Sequence, residues 1–145
     1  MDSRQDAQPV DLAAISGMGA GTLPERMGIE ITEASAERVV GTMPVAGNTQ
    51  PYGLLHGGAS CVLAETLGSV GAAIHAMQLN GGICVGIDIN ATHHKGARRG
   101  IVTGVATPLH RGGNVATYEV VITDENGGRV CTARLTCLLR RPNTV

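Results

Sequence analysis

One carboxylate, Glu65, stands midway in a run of Ala, Val, Leu, Gly and Ile that follows His56, Gly57 and Gly58. An ionised acid in an apolar stretch is costly unless it has a partner or a task. No Lys, Arg or His lies between Gly57 and Ile74 to pair with it along its own helix. An acid stripped of water becomes a better base or nucleophile. The alternative is that Glu65 reaches a basic residue elsewhere or faces solvent at an edge of the helix. Ser69, four residues on, shares its helix face and can hold a water between the two side chains; it also serves simply as a small residue for close packing.

His56-Gly57-Gly58 opens the same run. Unpaired N–H groups in a first helical turn form an anion site, and Gly lets a ligand approach closely. The Gly57 N–H is thus a natural oxyanion donor, although two glycines also make a tight loop-to-helix turn. Gly57 and Glu65 are eight residues apart, about 12 Å along a helix. A nucleophile and an oxyanion donor must both lie about 3 Å from one reacting carbonyl, so one chain does not easily supply both. Two antiparallel copies of the helix would bring Gly57 of one to Glu65 of the other, which predicts an obligate dimer with two equivalent sites.

The elements that must hold these residues are legible along the chain. Residues 1–21 lack periodicity and read as a flexible segment, with at most a turn of helix at Asp11–Ile15; residues 22–141 read as one domain. Thr22 and Glu25 have capping-box spacing before a short helix that ends at Gly28. Two strands follow, over Ile29–Ala34 and Glu37–Val45, then a loop and a helix from Gly57 to about Met77, stopped by Gly81 and Gly82. Beyond it the period becomes two, predicting a four-strand meander with Asn126-Gly127 in its last turn. A helix apolar all round needs covering on most sides, and a curved antiparallel sheet wrapped around it gives a two-layer α+β fold.

Composition narrows the function. The 145 residues suffice for one domain, and a net charge of −1 provides no field for nucleic acid or an anionic membrane. The lack of Trp and Phe, with only Tyr52 and Tyr118 present, argues against a nucleic-acid reader built on stacked aromatic side chains. Four Cys form no CxxC pair and read as buried free thiols; the His residues show no metal-ligand spacing. The N-terminus lacks the basic and apolar regions of a signal peptide, so a cytoplasmic location is expected. Glu65, Thr66 and Ser69, with no anchoring residues at the ends, argue against a membrane span at 59–77.

The stretch "QPYGLLHGGASCVLAETLGS" resembles the hotdog-fold acyl-CoA thioesterases, in the branch of the phenylacetic-acid-degradation, dihydroxynaphthoyl-CoA and mid-helix-Glu 4-hydroxybenzoyl-CoA enzymes. The resemblance extends over about residues 22–140. It implies hydrolysis of an acyl- or aroyl-CoA to a free acid and CoA, with the thioester as substrate and no cofactor or metal. By the same resemblance Glu65 is the nucleophile or general base and the Gly57 N–H polarises the carbonyl. Gln50 orients that carbonyl, His56 supports the loop and Ser69 assists the water. The implied assembly is a homo-oligomer, at least a dimer with sites at the interface, and a tetramer in full.

A cationic turn, "HHKGARRG" at 93–100, can bind phosphate locally in a neutral protein. The resemblance assigns CoA contacts to this turn, through His93, His94, Lys95 and Gly96, and to a second turn of His110, Arg111, Gly112, Gly113 and Asn114. His93 and Lys95 are the main phosphate candidates. The second turn departs from the family pattern at Gly113 and Asn114, which favours backbone contacts there. Two other functions fit the fold: a non-catalytic acyl-CoA binding or sensing protein, against which the buried acid counts, and a dehydratase, for which His56 is not well placed.

Overall fold

The computed structural model describes residues 10–142. The chain runs α1 (Leu12–Met18), α2 (Leu23–Arg26), β1 (Glu30–Ala34), β2 (Val39–Pro44), α3 (Gly57–Asn80), β3 (Ile83–His93), β4 (Ile101–Arg111), β5 (Val115–Thr123) and β6 (Arg129–Arg140). All strand pairs are antiparallel, in one six-stranded sheet of order β1-β2-β4-β5-β6-β3. The sheet curves around α3, which touches every strand. This is the α+β hotdog architecture.

The expected four-strand meander is corrected to three strands. β4, β5 and β6 are successive neighbours, whereas β3 lies at the far edge, paired only with β6. Residues 94–100 are too many for a tight hairpin turn. They cross below the β5–β6 turn instead, tied by His94 N–H to Val130 O at 2.8 Å and by Leu55 N–H to Ala97 O at 2.7 Å. The capping box at Thr22 and Glu25 is also altered. Thr22 Oγ1 donates back to Gly19 O, and Glu25 takes the N–H of Gly21, one residue earlier than a capping box requires.

Residues 12–18 form a full α1, capped by Asp11 Oδ1 accepting from Ala13 N–H at 2.9 Å; residues 1–9 of the expected flexible segment lie outside the described residues. The helix α1 lies beside β1 and buries none of its residues.

Small residues let the sheet approach α3. A side chain at Gly68 would strike Leu135, and one at Gly71 would strike the Tyr118 ring. Leu63 and Leu67 on the same side join Val39, Met43, Ile122 and Leu135 in an aliphatic core with Tyr118 as its one aromatic ring. The Tyr118 hydroxyl donates to Ala36 O at 2.5 Å, and burial pushes its pKa up to about 12. Length and hydropathy alone would let α3 cross a membrane, but the sheet wraps it as the core helix.

The wrapping is incomplete. Glu65, Ala73 and Met77 are exposed, with Thr66, Ser69 and Val70 half-buried between them. The expectation that Glu65 is buried within its own chain is therefore corrected. The curved sheet covers the Leu63/Leu67 side of α3 and leaves the Glu65 side open.

Candidate active site

The start of α3 is built by its side chains and glycines together. His56 is the N-cap, in extended conformation (φ −63°, ψ 131°), and its Nδ1 accepts from Gly58 N–H at 2.8 Å. An accepting Nδ1 fixes the neutral tautomer with its proton on Nε2. A Cβ at Gly58 would stand 2.9 Å from this ring, and one at Gly57 would stand 2.9 Å from His93 Nε2. The two glycines thus let one imidazole cap the helix and a second close over its first turn. Among the described residues nothing accepts from the Gly57 N–H.

Gln50 belongs to the preceding loop. Its Oε1 accepts from Tyr52 N–H at 2.5 Å and Leu54 N–H at 3.4 Å, which holds the side chain in place and leaves the amide NH2 as a donor. Gln50, Gly57, Ser60 and His93 line one pocket of about 350 Å3 with His94 and Lys95.

Glu65 and Ser69 line a different and larger cleft, of about 1580 Å3. Glu65 Oε1 stands 3.0 Å from where a Cβ of Gly86 would be, so the carboxylate rests against the backbone of β3. The β3–β6 register slips between Gly86 and Asp88, a bulge beside the acid. No salt bridge involves Glu65 among the described residues. Ser69 O accepts from the Cys84 thiol at 3.4 Å. Of the four free thiols Cys131 and Cys137 are buried and Cys61 and Cys84 half-buried. Burial pushes the Cys131 thiol up to about 11.

The chain therefore brings Gln50, His56, Gly57 and His93 together at one place, Glu65 and Ser69 at another, and does not join the two groups. Their separation on one helix is the distance argued from sequence.

The two candidate CoA turns are also apart. Residues 94–100 lie at the β5–β6 end of the sheet, whereas His110–Asn114 lie at the β4–β5 end, about 35 Å away along β4 at 3.3 Å per residue. Lys95 Nζ is already engaged by Asp124 Oδ2 at 2.6 Å, and this bond holds the Asp124 carboxyl below its usual range. His94 Nε2 bonds Thr132 Oγ1 at 2.9 Å. At the other end Arg111 pairs with Glu37 at 2.7 Å, Gly112 O bonds His75 Nε2 at 2.8 Å, and Asn114 O accepts from Leu139 N–H. The Arg111 guanidinium holds the Glu37 carboxyl low. Gly113 and the side of Asn114 stay exposed.

Sequence reasoning missed Gly86, Ser60 and Asp124. A glycine interrupting the strand pattern of "ICVGIDIN" was the available signal for a close approach; the other two carry none.

A curved antiparallel sheet wrapped around one long helix is the architecture of the hotdog class, and the comparisons make its member here a thioester hydrolase. The profile of the thioesterase superfamily matches residues 52–131, and the chain belongs to that family. It is 47% identical over 125 residues to the proofreading thioesterase EntH of Cronobacter turicensis, covering 86% of this chain and 90% of that one. Against EntH of Klebsiella pneumoniae the identity is 44% over the same coverage. A thioesterase from Haemophilus influenzae superposes with a TM-score of 0.86 at 34% identity, over 93% of this chain and 94% of the other.

Proposed function

We propose that this protein is an acyl-CoA thioesterase whose two active sites form between two copies of the chain. In each, Glu65 and Ser69 come from one copy and the Gly57 N–H and Gln50 amide from its partner. The observation that carries this reading is the placement of both half-sites against one sheet edge. Gly57 sits at His93 and Glu65 at Gly86, on the strand whose outer edge has no partner among the described residues. Ile83, Val85 and Ile87 of β3 are exposed, at 59%, 48% and 59%. A long apolar edge strand is a hazard that proteins cover. A second β3, antiparallel and centred on Asn90, would set His93 of one copy level with Gly86 of the other, because the bulge between Gly86 and Asp88 takes one residue out of the ladder. Gly57 would then meet Glu65 across the two-fold axis. Pairing of such dimers into tetramers is part of the same proposal.

In the assembled site the thioester carbonyl oxygen accepts from the Gly57 N–H and the Gln50 amide, in a pocket closed over by His93. Oxyanion donors of this kind stabilise the charge that develops on attack. Glu65 then acts in one of two ways. It adds to the carbonyl carbon and expels the CoA thiolate, giving an anhydride that water hydrolyses; or it takes a proton from a water held with Ser69 while that water attacks. Neither route uses a metal or cofactor. The CoA phosphates are bound at the cationic turn by His94, Lys95 and the neighbouring Arg98 and Arg99, with Lys95 exchanging Asp124 for phosphate.

Turnover of acyl-CoAs followed with a thiol reagent tests the activity, and release of CoA by the wild type but not by Glu65→Ala is expected. Single turnover in heavy-oxygen water separates the routes. An anhydride opened at the Glu65 carbonyl leaves the label on the protein, whereas direct attack by water puts it on the released acid. CoA-thioester binding without any turnover would make the chain a binder instead.

A further inference from the structure

Ser60 is the one polar side chain buried in the core among the described residues, 2% exposed beside Ala59, Leu63 and Ala64 of the same helix. Packing alone calls for no hydroxyl there. Alanine is nearly the same size, forms helix better and buries no polar atom. A buried hydroxyl ordinarily finds an acceptor, as Thr66 does by donating to Val62 O at 2.7 Å. The Ser60 hydroxyl makes no hydrogen bond among the described residues. Yet no side-chain oxygen or nitrogen there is sealed in without a partner. The Ser60 oxygen therefore keeps an opening, and that opening is the pocket of about 350 Å3 that it lines with Gln50, Gly57 and His93.

Helix geometry aims this hydroxyl at the start of α3. Ser60 follows Gly57 by three residues and shares its face. Helical side chains lean toward the N-terminus and cover the turn before their own Cα. The Ser60 oxygen thus leans over the first turn, beside the Gly57 N–H that nothing accepts among the described residues. Two acceptors that could have taken its proton are already engaged. Gln50 Oε1 accepts from the N–H groups of Tyr52 and Leu54, and His56 Nδ1 accepts from that of Gly58. What faces the pocket is a set of three donors: the Gly57 N–H, the Gln50 amide and the Ser60 hydroxyl. Such a set suits an oxygen that gains negative charge.

We infer that Ser60 is a further catalytic residue, its hydroxyl the third donor to the thioester carbonyl oxygen beside the Gly57 N–H and the Gln50 amide of the same copy. The inference rests on the thioesterase reading of this pocket. Burial serves the role, because a hydroxyl with no protein acceptor and little competing water gives its full strength to the ligand. Ser60 keeps its proton throughout, and no acyl group passes to it. Its bond tightens as the carbonyl oxygen becomes an oxyanion and relaxes when the CoA thiolate leaves.

Ser60→Ala tests this, since it deletes the hydroxyl and leaves every hydrogen bond within the protein in place. Expected is a fall in kcat on acyl-CoAs of about 10²-fold, the lower end for one oxyanion donor, with KM little changed. The melting temperature and the mass of the assembly should not fall. Ser60→Cys, close in shape but a weak donor, should lie between the wild type and Ser60→Ala. The inhibition constant of S-butyl-CoA, a thioether without a carbonyl oxygen, should be the same in all three proteins. Wild-type kcat in Ser60→Ala overturns the inference, leaves the hydroxyl to a pocket water and lets the thioesterase reading stand. A loss of activity that tracks a lower melting temperature or a broken assembly overturns it too. So does a rise in the S-butyl-CoA constant that matches the loss in turnover, which would place the hydroxyl on the CoA chain. If the wild type releases no CoA from any acyl-CoA, the thioesterase reading falls and takes the inference with it.

Discussion

Glu65 rests against Gly86: its Oε1 is 3.0 Å from the position a Cβ there would take. The strand backbone thus positions an acid that has no salt-bridge partner among the described residues. Glu65→Ala is expected to lower kcat by about 10²–10⁴-fold, the range for a positioned base, with the melting temperature nearly unchanged because the side chain is exposed. Gly86→Ala leaves the acid in place but displaces its carboxylate, so a loss of about 10²-fold is expected from misplacement alone. Steady-state kinetics with thermal melts on both variants check this; full activity in Glu65→Ala would remove Glu65 from the chemistry.

Gly57 permits a substitution that deletes its N–H donor without breaking the helix. It is the first residue of α3, where proline is well accommodated, and His56 before it has the extended backbone that a following proline demands. Gly57→Pro removes the N–H, and its ring requires the His93 side chain to shift. A fall in kcat of about 10²–10³-fold is expected if that N–H holds the oxyanion. Retained helicity with retained kcat would assign the oxyanion to other donors.

Tyr118 makes stability depend on alkaline pH. Its pKa rises from 10.0 to about 12 in the fold, chiefly by burial. A group whose pKa is raised on folding contributes stability that is fully present below its unfolded value and lost as pH rises through the folded one. Stability should therefore fall between about pH 10 and pH 12. Tyr118→Phe should remove that share of the slope and cost about 1–3 kcal/mol at neutral pH, because Ala36 O is buried and loses its donor. Denaturant titrations across this range measure both effects, and identical slopes in the two proteins would refute the assignment.

Most of the fold is written locally in the sequence. Period-two runs mark β3 to β6, Gly81 takes the left-handed conformation that ends α3 (φ 70°), and Gly127 (φ 78°) closes the β5–β6 turn as Asn126-Gly127 foretold. Strand order is not local. Nothing in Ile83–His93 says that its neighbour is β6, with Ile83 paired to Arg140 and His93 to Cys131, rather than β4, because alternation reports only which face is covered. The site shows the same division. The spacing of Gly57 and Glu65 is a helix property and could be read directly, whereas the exposure of Glu65 depends on how far the sheet curls. Likewise the pairing of Lys95 with Asp124 depends on the crossing of residues 94–100 beneath a turn, which no pattern in "HHKGARRG" announces.

The assignment of half-sites to different copies is tested by mixing two inactive proteins. Glu65→Ala spoils the acid half-site and Gly57→Pro the donor half-site. If each site draws one half from each copy, a mixed dimer carries one site with both defects and one with neither. Random pairing makes half the dimers mixed, so coexpression should restore about a quarter of wild-type activity. If both halves came from the same chain, every site would carry one defect and nothing would be restored. Ile87→Lys gives the complementary control. It places a charge on the exposed apolar edge of β3, a device by which natural strands refuse partners. The expected product is a folded monomer by sedimentation with no thioesterase activity, since each separated chain holds Glu65 and Gly57 about 12 Å apart on one helix.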